Sequence, residues 1–390
     1  MSGTDRIVLE GIGVVGGFGC GISDLSRALT EAASSPGTFE LSTGSGTVRI
    51  PGFQADESRL GEFIPARTLR RIDRFSRLGL LGSHLALADA ELPEAERSRL
   101  GIIIASGYGP TGITYAFLKS FINDGDICAS PTYFANSVHN SAAAHISIHL
   151  GAMGPSLTVT HFHLSVPSAL ATARLWLAEG RVQRVLFGAV DELSELIGYV
   201  RYRTRDAGPA TPMTPLRTEM ETSIPGEGAA FLLLARESTA RGGYCALDAS
   251  TTGSLPISGV PLPEPGLLVL GADGCRESGR RYAAVAQNAR VACYTPLYGS
   301  MPAGPAFDAA AAALMLKGGR VFTSPGAAFR DFPATVPAGG DPVGGDRISC
   351  LTLAGDEAYG VTTLGKLSGT TGECAKEEWI AAGVSRVDPQ

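Results

Sequence analysis

Five of the six histidines in this chain lie between His139 and His163, and they are the side chains that first suggest chemistry. His145 and His149 are four residues apart, the helical spacing of a metal-binding pair. No acidic residue or Cys stands among them to complete a ligand set, so the expectation is packed, hydrogen-bonded imidazoles and no metal. His163 has a different setting. GPSLTVTHFHLSVPSAL (154–170) reads as a strand through Leu157 and Val159, a sharp turn at Thr160–His163, and a helix from Ser165 through Ala169, Ala173 and Leu177. Such a corner presents its turn side chain at the end of a buried helix, where the dipole and free N–H groups favour a nucleophile and an oxyanion. A Cys or Ser is expected there, and this chain has His163.

A second pattern, GYGPTG, matches GxGxxG at Gly107, Gly109 and Gly112 after the apolar strand LGIIIASG. A dinucleotide site needs a further strand ending in an acidic residue about 20 positions on. The chain continues instead as a helix, ITYAFLKSFIN, and Asp124 and Asp126 follow no strand. The glycines are therefore read as a tight turn with close backbone approach, and no cofactor is expected.

The bulk numbers frame these motifs. A chain of 390 residues with 44% hydrophobic and 18% charged residues can bury a large core. A net charge of −6 with no basic stripe argues against nucleic acid as a partner. No apolar run reaches the roughly 18 residues of a membrane span, and the start of the chain has no signal-peptide pattern. The seven scattered cysteines have no CxxC spacing, which argues against zinc or a disulfide framework and for a reduced, cytoplasmic protein.

The elements that must position the corner follow from hydrophobic period. IVLE is a buried strand, followed by an expected Gly-rich turn GIGVVGGFG and a helix near Ser23. Residues 35–65 have no sustained period and are read as a surface excursion. RRIDRFSRLGLLGSHLALADAEL (70–92) is an amphipathic helix, apolar at Ile72, Phe75, Leu78, Leu81, Leu85 and Leu87, with arginines on the opposite face. Further strands are expected at RVLFGAV, AAFLLLA, after ARGG, at GLLVLGADG and twice in RISCLTLAGDEAYGVTTLGKL, with helices across 277–288 and FDAAAAALMLKGG. The result is an α/β chain of two halves, 1–245 and 246–390, each with strands buried between helices.

Four ordered stretches resemble the β-ketoacyl synthases, condensing enzymes of the thiolase fold: IVLEGIGVVGGFGCGISDLSRAL, RRIDRFSRLGLLGSHLALADAEL, GPSLTV, and TPLRTEMETSIPGEGAAFLLLARESTARGG around Gly226, Glu227, Gly228 and Ala229. The likeness covers the first 250 residues well and the rest loosely. It implies two related βαβαβ-type halves in an α-β-α-β-α arrangement. It also implies a Cys nucleophile and two histidines that act on the malonyl thioester. Counting against the family pattern places His163 on the nucleophile. No histidine follows it, so both family histidines are absent. Their nearest equivalents are GADGCR (271–276) and TPLYGSMPAG (295–304), with Ala272 and Ser300 on or near the lost positions.

Ketosynthase-like chains without the Cys are known as chain length factors. They pair with an active ketosynthase in type II polyketide systems and help to shape its acyl tunnel. The resemblance therefore implies a non-catalytic subunit, a Cys-containing ketosynthase as heterodimer partner, and an acyl carrier protein reached through that complex. It places the dimer seam on Ser156, Leu157, Thr158, Val159 and Thr160, and tunnel residues at Thr111, Thr114 and Leu118. A homodimeric enzyme that uses His163 for acyl transfer or hydrolysis stays open as an alternative, as does an acyl-binding module.

Overall fold

Strands built from Val, Ile, Leu and Ala on both faces need cover on both faces, and that need organises this molecule. The computed structural model describes residues 5–44, 46–204, 212–254, 266–326, 332–355 and 357–367. The strands are β1 (Ile7–Gly16), β2 (Gly19–Cys20), β3 (Gly37–Thr43), β4 (Gly46–Gly52), β5 (Gly101–Ser106), β6 (Ser156–Thr160), β7 (Arg184–Asp191), β8 (Gly228–Arg236), β9 (Cys245–Ser254), β10 (Leu267–Leu270), β11 (Arg290–Ala292), β12 (Arg347–Ala354) and β13 (Ala358–Gly365).

Two five-stranded arrays share one connectivity. The first runs β1-β8-β7-β5-β6 and the second β9-β13-β12-β10-β11, each with two antiparallel pairings followed by two parallel ones. The arrays join where β9 starts beside β1, at Val8↔Ala246 and Leu9↔Cys245, and then continues beside β13. The division expected after residue 245 falls at the first residue of this shared strand.

Parallel neighbours require crossovers, and the two equivalent crossover helices, Ser165–Ala178 and Gly304–Gly318, lie between the arrays. Their apolar faces merge with both sheets in one core that includes Leu170, Ala173, Phe187, Leu232 and Ile348. The second of these helices is buried from Gly304 to Leu316, which explains its run of five alanines: larger side chains all round would hold the sheets apart. The Arg74–Asp89 and Ser141–Leu150 helices cover the outer face of the first array, and Arg276–Val285 covers the second. Helix, sheet, helix, sheet and helix layers result.

Three expectations need correction. β1 runs straight through the expected glycine turn to Gly16. Its glycines serve helix packing: a Cβ on Gly13 would lie 2.2 Å from the Gly82 carbonyl oxygen, and one on Gly11 would lie 2.5 Å from that of Ala86. The stretch 35–65 is not an unstructured excursion, because β3 and β4 form a hairpin pinned by buried Leu41 and Ile50. The Arg74–Asp89 helix is also less one-sided than its pattern: Asp73 caps it by accepting from Ser76 N at 2.9 Å, and Arg74 turns inward to the buried Glu227.

Gly13→Ala is expected to cost about 1–3 kcal/mol by overpacking β1 against the Arg74–Asp89 helix. Gly61→Ala, where nothing lies within 4 Å of the new Cβ, is the control and should stay within about 0.5 kcal/mol of the parent. Urea midpoints compare the two, and equal midpoints would refute the packing account.

Candidate functional site

The corner after β6 is set by one hydroxyl and one strained residue. Ser165 is fully buried; its Oγ accepts from His161 N at 2.7 Å and lies 2.9 Å from the Ser106 carbonyl oxygen, tying the turn to the end of β5. Phe162 takes φ 44°, unusual for a residue with a side chain, and its ring is 65% exposed. His163 follows in a short 3₁₀ turn that leads into the Ser165–Ala178 helix.

His163 borders a cleft of about 330 Å³ together with Tyr108, Arg201, Asp273 and Cys275. Burial holds its imidazole below the ordinary histidine pKa; Asp273 opposes that shift and Arg201 adds to it. The ring is therefore neutral at pH 7. None of the other five histidines borders this cleft. Cys275 sits at the start of the Arg276–Val285 helix, but burial pushes its thiol up, so it is a protonated and sluggish nucleophile.

Opposite His163 the structure moves one expected position. Ala272 is fully buried, and its carbonyl accepts from Thr295 Oγ1 at 2.6 Å, so it offers the cleft nothing. The next residue, Asp273, borders the cleft instead. Ser300 is 2% exposed; its Oγ donates to Asp273 Oδ2 at 2.7 Å and accepts from Arg201 Nη2 at 2.8 Å. Arg201, Ser300 and Asp273 thus form a polar chain across the site.

Beneath the site, the fully buried Asp191 accepts from Ser106 Oγ at 2.8 Å, Tyr108 N at 2.9 Å, Gly107 N at 3.1 Å and Ala303 N at 2.8 Å. Burial pushes its pKa up to about 6 while these donors pull it down, and it is ionised at neutral pH. Neighbouring Glu192 accepts from Gly112 N at 2.5 Å at the start of the Thr111–Asp124 helix, and burial raises its pKa to about 7.

On that helix, Thr111 Oγ1 lies 2.7 Å from Ser194 Oγ, and Thr114 Oγ1 donates to the Pro110 carbonyl at 2.8 Å. Leu118 is 47% exposed and so is not core. Among the described residues, twelve of the seventeen exposed large apolar side chains fall between Tyr115 and Phe162, which concentrates apolar surface in one short stretch of the chain. Among the described residues, Ser156–Thr160 is the free edge of the sheet and pairs only with β5. Leu157 is 38% exposed, and the Thr158 hydroxyl is buried without a partner.

The other candidates take structural places. His145 Nε2 lies 3.2 Å from Asn136 Oδ1, and no group of three or more ligating side chains suited to a metal exists among the described residues. Ile148, on the same helix, is 75% exposed. Gly107 and Gly109 make a close turn: a Cβ on Gly107 would lie 2.2 Å from Pro302, and Gly109 has φ 66°. No helix among the described residues is long and apolar enough to cross a membrane.

His163→Gln should remove a pH dependence. The unfolded imidazole binds a proton below its ordinary pKa of 6.5 while the folded one resists it, so the parent loses stability relative to the variant as pH falls through that value. Paired urea titrations between neutral and mildly acidic pH measure this, and parallel curves would show that His163 titrates normally.

Comparison with known proteins gives one coherent result. The model of the β-ketoacyl synthase N-terminal domain matches residues 4–240. The 3-oxoacyl-[acyl-carrier-protein] synthase 2 of Vibrio harveyi is 23% identical over 238 residues, 59% of this chain and 57% of that protein. Nodulation protein E of Rhizobium sp. (strain N33) is 27% identical over 245 residues, 61% of this chain and 60% of that one. The chain thus spans less than two thirds of these relatives' length. Among solved structures, the ishigamide ketosynthase/chain length factor superposes with a TM-score of 0.77 at 16% identity, covering 94% of this chain and all of that one. A ketosynthase in complex with its chain length factor from Xenorhabdus doucetiae gives 0.76 at 15% identity, covering 94% and 99%. The mixed α/β architecture is that of the ketosynthases, a thiolase-like fold.

Proposed function

This chain belongs to the β-ketoacyl synthase family, and from that premise we propose that it is a non-condensing subunit of the chain-length-factor type, paired with a Cys-containing ketosynthase. One observation carries the reading: the cleft has a neutral imidazole at the corner where condensation needs a thiolate, and it is lined as well by Asp273, which accepts from the buried Ser300 hydroxyl.

Condensation requires an acceptor that holds the acyl chain as a stable thioester and donors that stabilise an enolate. An acyl-imidazole hydrolyses readily. Asp273 places negative charge near the point where an enolate would develop, and Ser300 has its proton committed to that carboxylate. The arrangement works against the chemistry at each step.

The partner reading draws on the surface. A free parallel edge at Ser156–Thr160, flanked by exposed Met153, Phe162 and Ile148, is a template for β-pairing and an apolar patch of the kind that marks an interface. The Thr111–Asp124 helix also exposes Tyr115, Leu118, Phe121 and Ile122. In this reading Thr111, Thr114 and Leu118 belong to the wall of a tunnel that opens into the partner, and a carrier protein delivers its acyl chain to the complex. Residues 1–245 and 246–390 serve as the two halves of one subunit.

Co-expression with a Cys-containing ketosynthase homologue should yield a one-to-one complex by native mass. A stable homodimer that condenses malonyl and acyl carrier proteins unaided would overturn the proposal. Leu157→Asp should weaken the complex roughly 10-fold or more, about 1.4 kcal/mol, by placing a charge on the pairing strand.

A further inference from the structure

A second hollow, of about 370 Å³, lies at the other end of the first sheet from His163. Leu100, immediately before β5, and Gln183 and Arg184, where β7 begins, line it; the His163 corner is tied to Ser106, at the far end of β5. A space of this volume is in the range of small-molecule sites, roughly 300–1,000 Å³. Its charge sets it apart in a chain whose net charge is −6. Arg99, Arg184 and Arg241, from three separate segments, all border it. Arg184 is buried, and its guanidinium donates to Glu10 at 2.7 Å, to Glu96 at 3.0 Å and to the Thr239 carbonyl at 2.5 Å. Glu10 is buried too and also accepts from Arg241 N at 2.7 Å, which commits it to the scaffold. Glu96 is half-buried, with one oxygen on Arg184 and the other on Arg241. Arg99 pairs with no carboxylate among the described residues. Three positive charges against two negative leave one uncompensated.

A carboxylate gripped by guanidiniums of two segments marks a place that holds an oxyanion. Glu96 takes one nitrogen of the Arg241 fork; the Arg99 guanidinium and the Gln183 amide border the same space. Planar guanidinium forks match phosphate oxygens two at a time, and a phosphate monoester with charge near −2 answers a positive site better than a second carboxylate does. We propose that this hollow is a binding site for the phosphate group of a small molecule, read by Arg99 and Arg241, with Glu96 as an internal anion that competes for the same guanidiniums. The inference uses nothing from the His163 cleft and is independent of the subunit reading. A ligand held by the 96–99 turn, the start of β7 and the 239–241 turn ties three segments together, so it stabilises the folded chain by mass action.

The test titrates the full chain with sodium phosphate and with glycerol 3-phosphate at constant ionic strength, read by calorimetry and by melting temperature. Saturable binding should raise the melting temperature by about 2 °C or more near saturation. Arg99→Ala and Arg241→Ala should each weaken binding at least ~10-fold, and either one serves if circular dichroism shows the other unfolded. Glu96→Gln, which removes the competing charge, should tighten binding about 10-fold. Arg49→Ala, an exposed arginine on β4, is the control and should leave the affinity unchanged. Tighter binding of glycerol 3-phosphate than of phosphate assigns the site to a phosphorylated organic molecule, and equal binding assigns it to free phosphate. Equal melting shifts in the parent, Arg99→Ala, Arg241→Ala and Arg49→Ala proteins would mean an adventitious ion only and would overturn the site, as would binding that does not saturate. Weaker binding by folded Glu96→Gln would overturn the competition and make Glu96 a part of the scaffold.

Discussion

One fully buried carboxylate joins the two halves of this protein at its site. Asp191, at the end of β7, receives hydrogen bonds from the β5 end and its following turn in the first half, and from Ala303 at the head of the Gly304–Gly318 helix in the second. Removing a charge from water costs several kcal/mol, whereas hydrogen bonds to an ionised group contribute roughly 1.5–3 kcal/mol each. Four donors can offset the penalty, and fewer would leave it exposed. The cleft inherits its shape from that balance, because Tyr108 and the Ser300 loop are both carried by segments that Asp191 fixes.

Around this point the fold depends on close approach. Two sheets and two inner helices share one core only if the helices stay thin, which the alanine run at 309–313 provides, and if the outer helix lies almost on the backbone of β1, which Gly11 and Gly13 allow. The same economy holds near the cleft: a Cβ on Gly226 would lie 2.0 Å from the Tyr298 carbonyl oxygen, beside the turn that presents Ser300. The ketosynthase-like fold is therefore built here on close backbone approach.

One contrast gives the molecule its physical character. Polar side chains at its cleft are bonded to one another, and among the described residues the β6 edge of its sheet is left open. A strand with unpaired N–H and C=O groups, beside exposed Leu157, Met153 and Phe162, is costly for a protein that works alone and useful for one that does not.

Hydrophobic runs and periods by themselves determined the buried strands, the inner and outer helices, the strand–turn–helix corner with His163 at its tip, and the absence of any later histidine. These are local properties of type and spacing, and the family likeness of the first 250 residues added the order of the layers. Tertiary structure alone decided what each turn and polar residue faces. Glycines that read as a turn became a strand because a helix 70 residues away lies on them. The Glu195–Thr204 helix has mixed polarity and no clear period, so neither it nor Arg201 stood out; an arginine there reads as solvent-facing until Ser300, 99 residues on, supplies its acceptor. Ala272 is tied inward by the Thr295 hydroxyl, and the next residue, Asp273, borders the cleft instead. Sequence carries the period of burial along the chain, whereas partners distant in the chain are set only when the sheets close on one another.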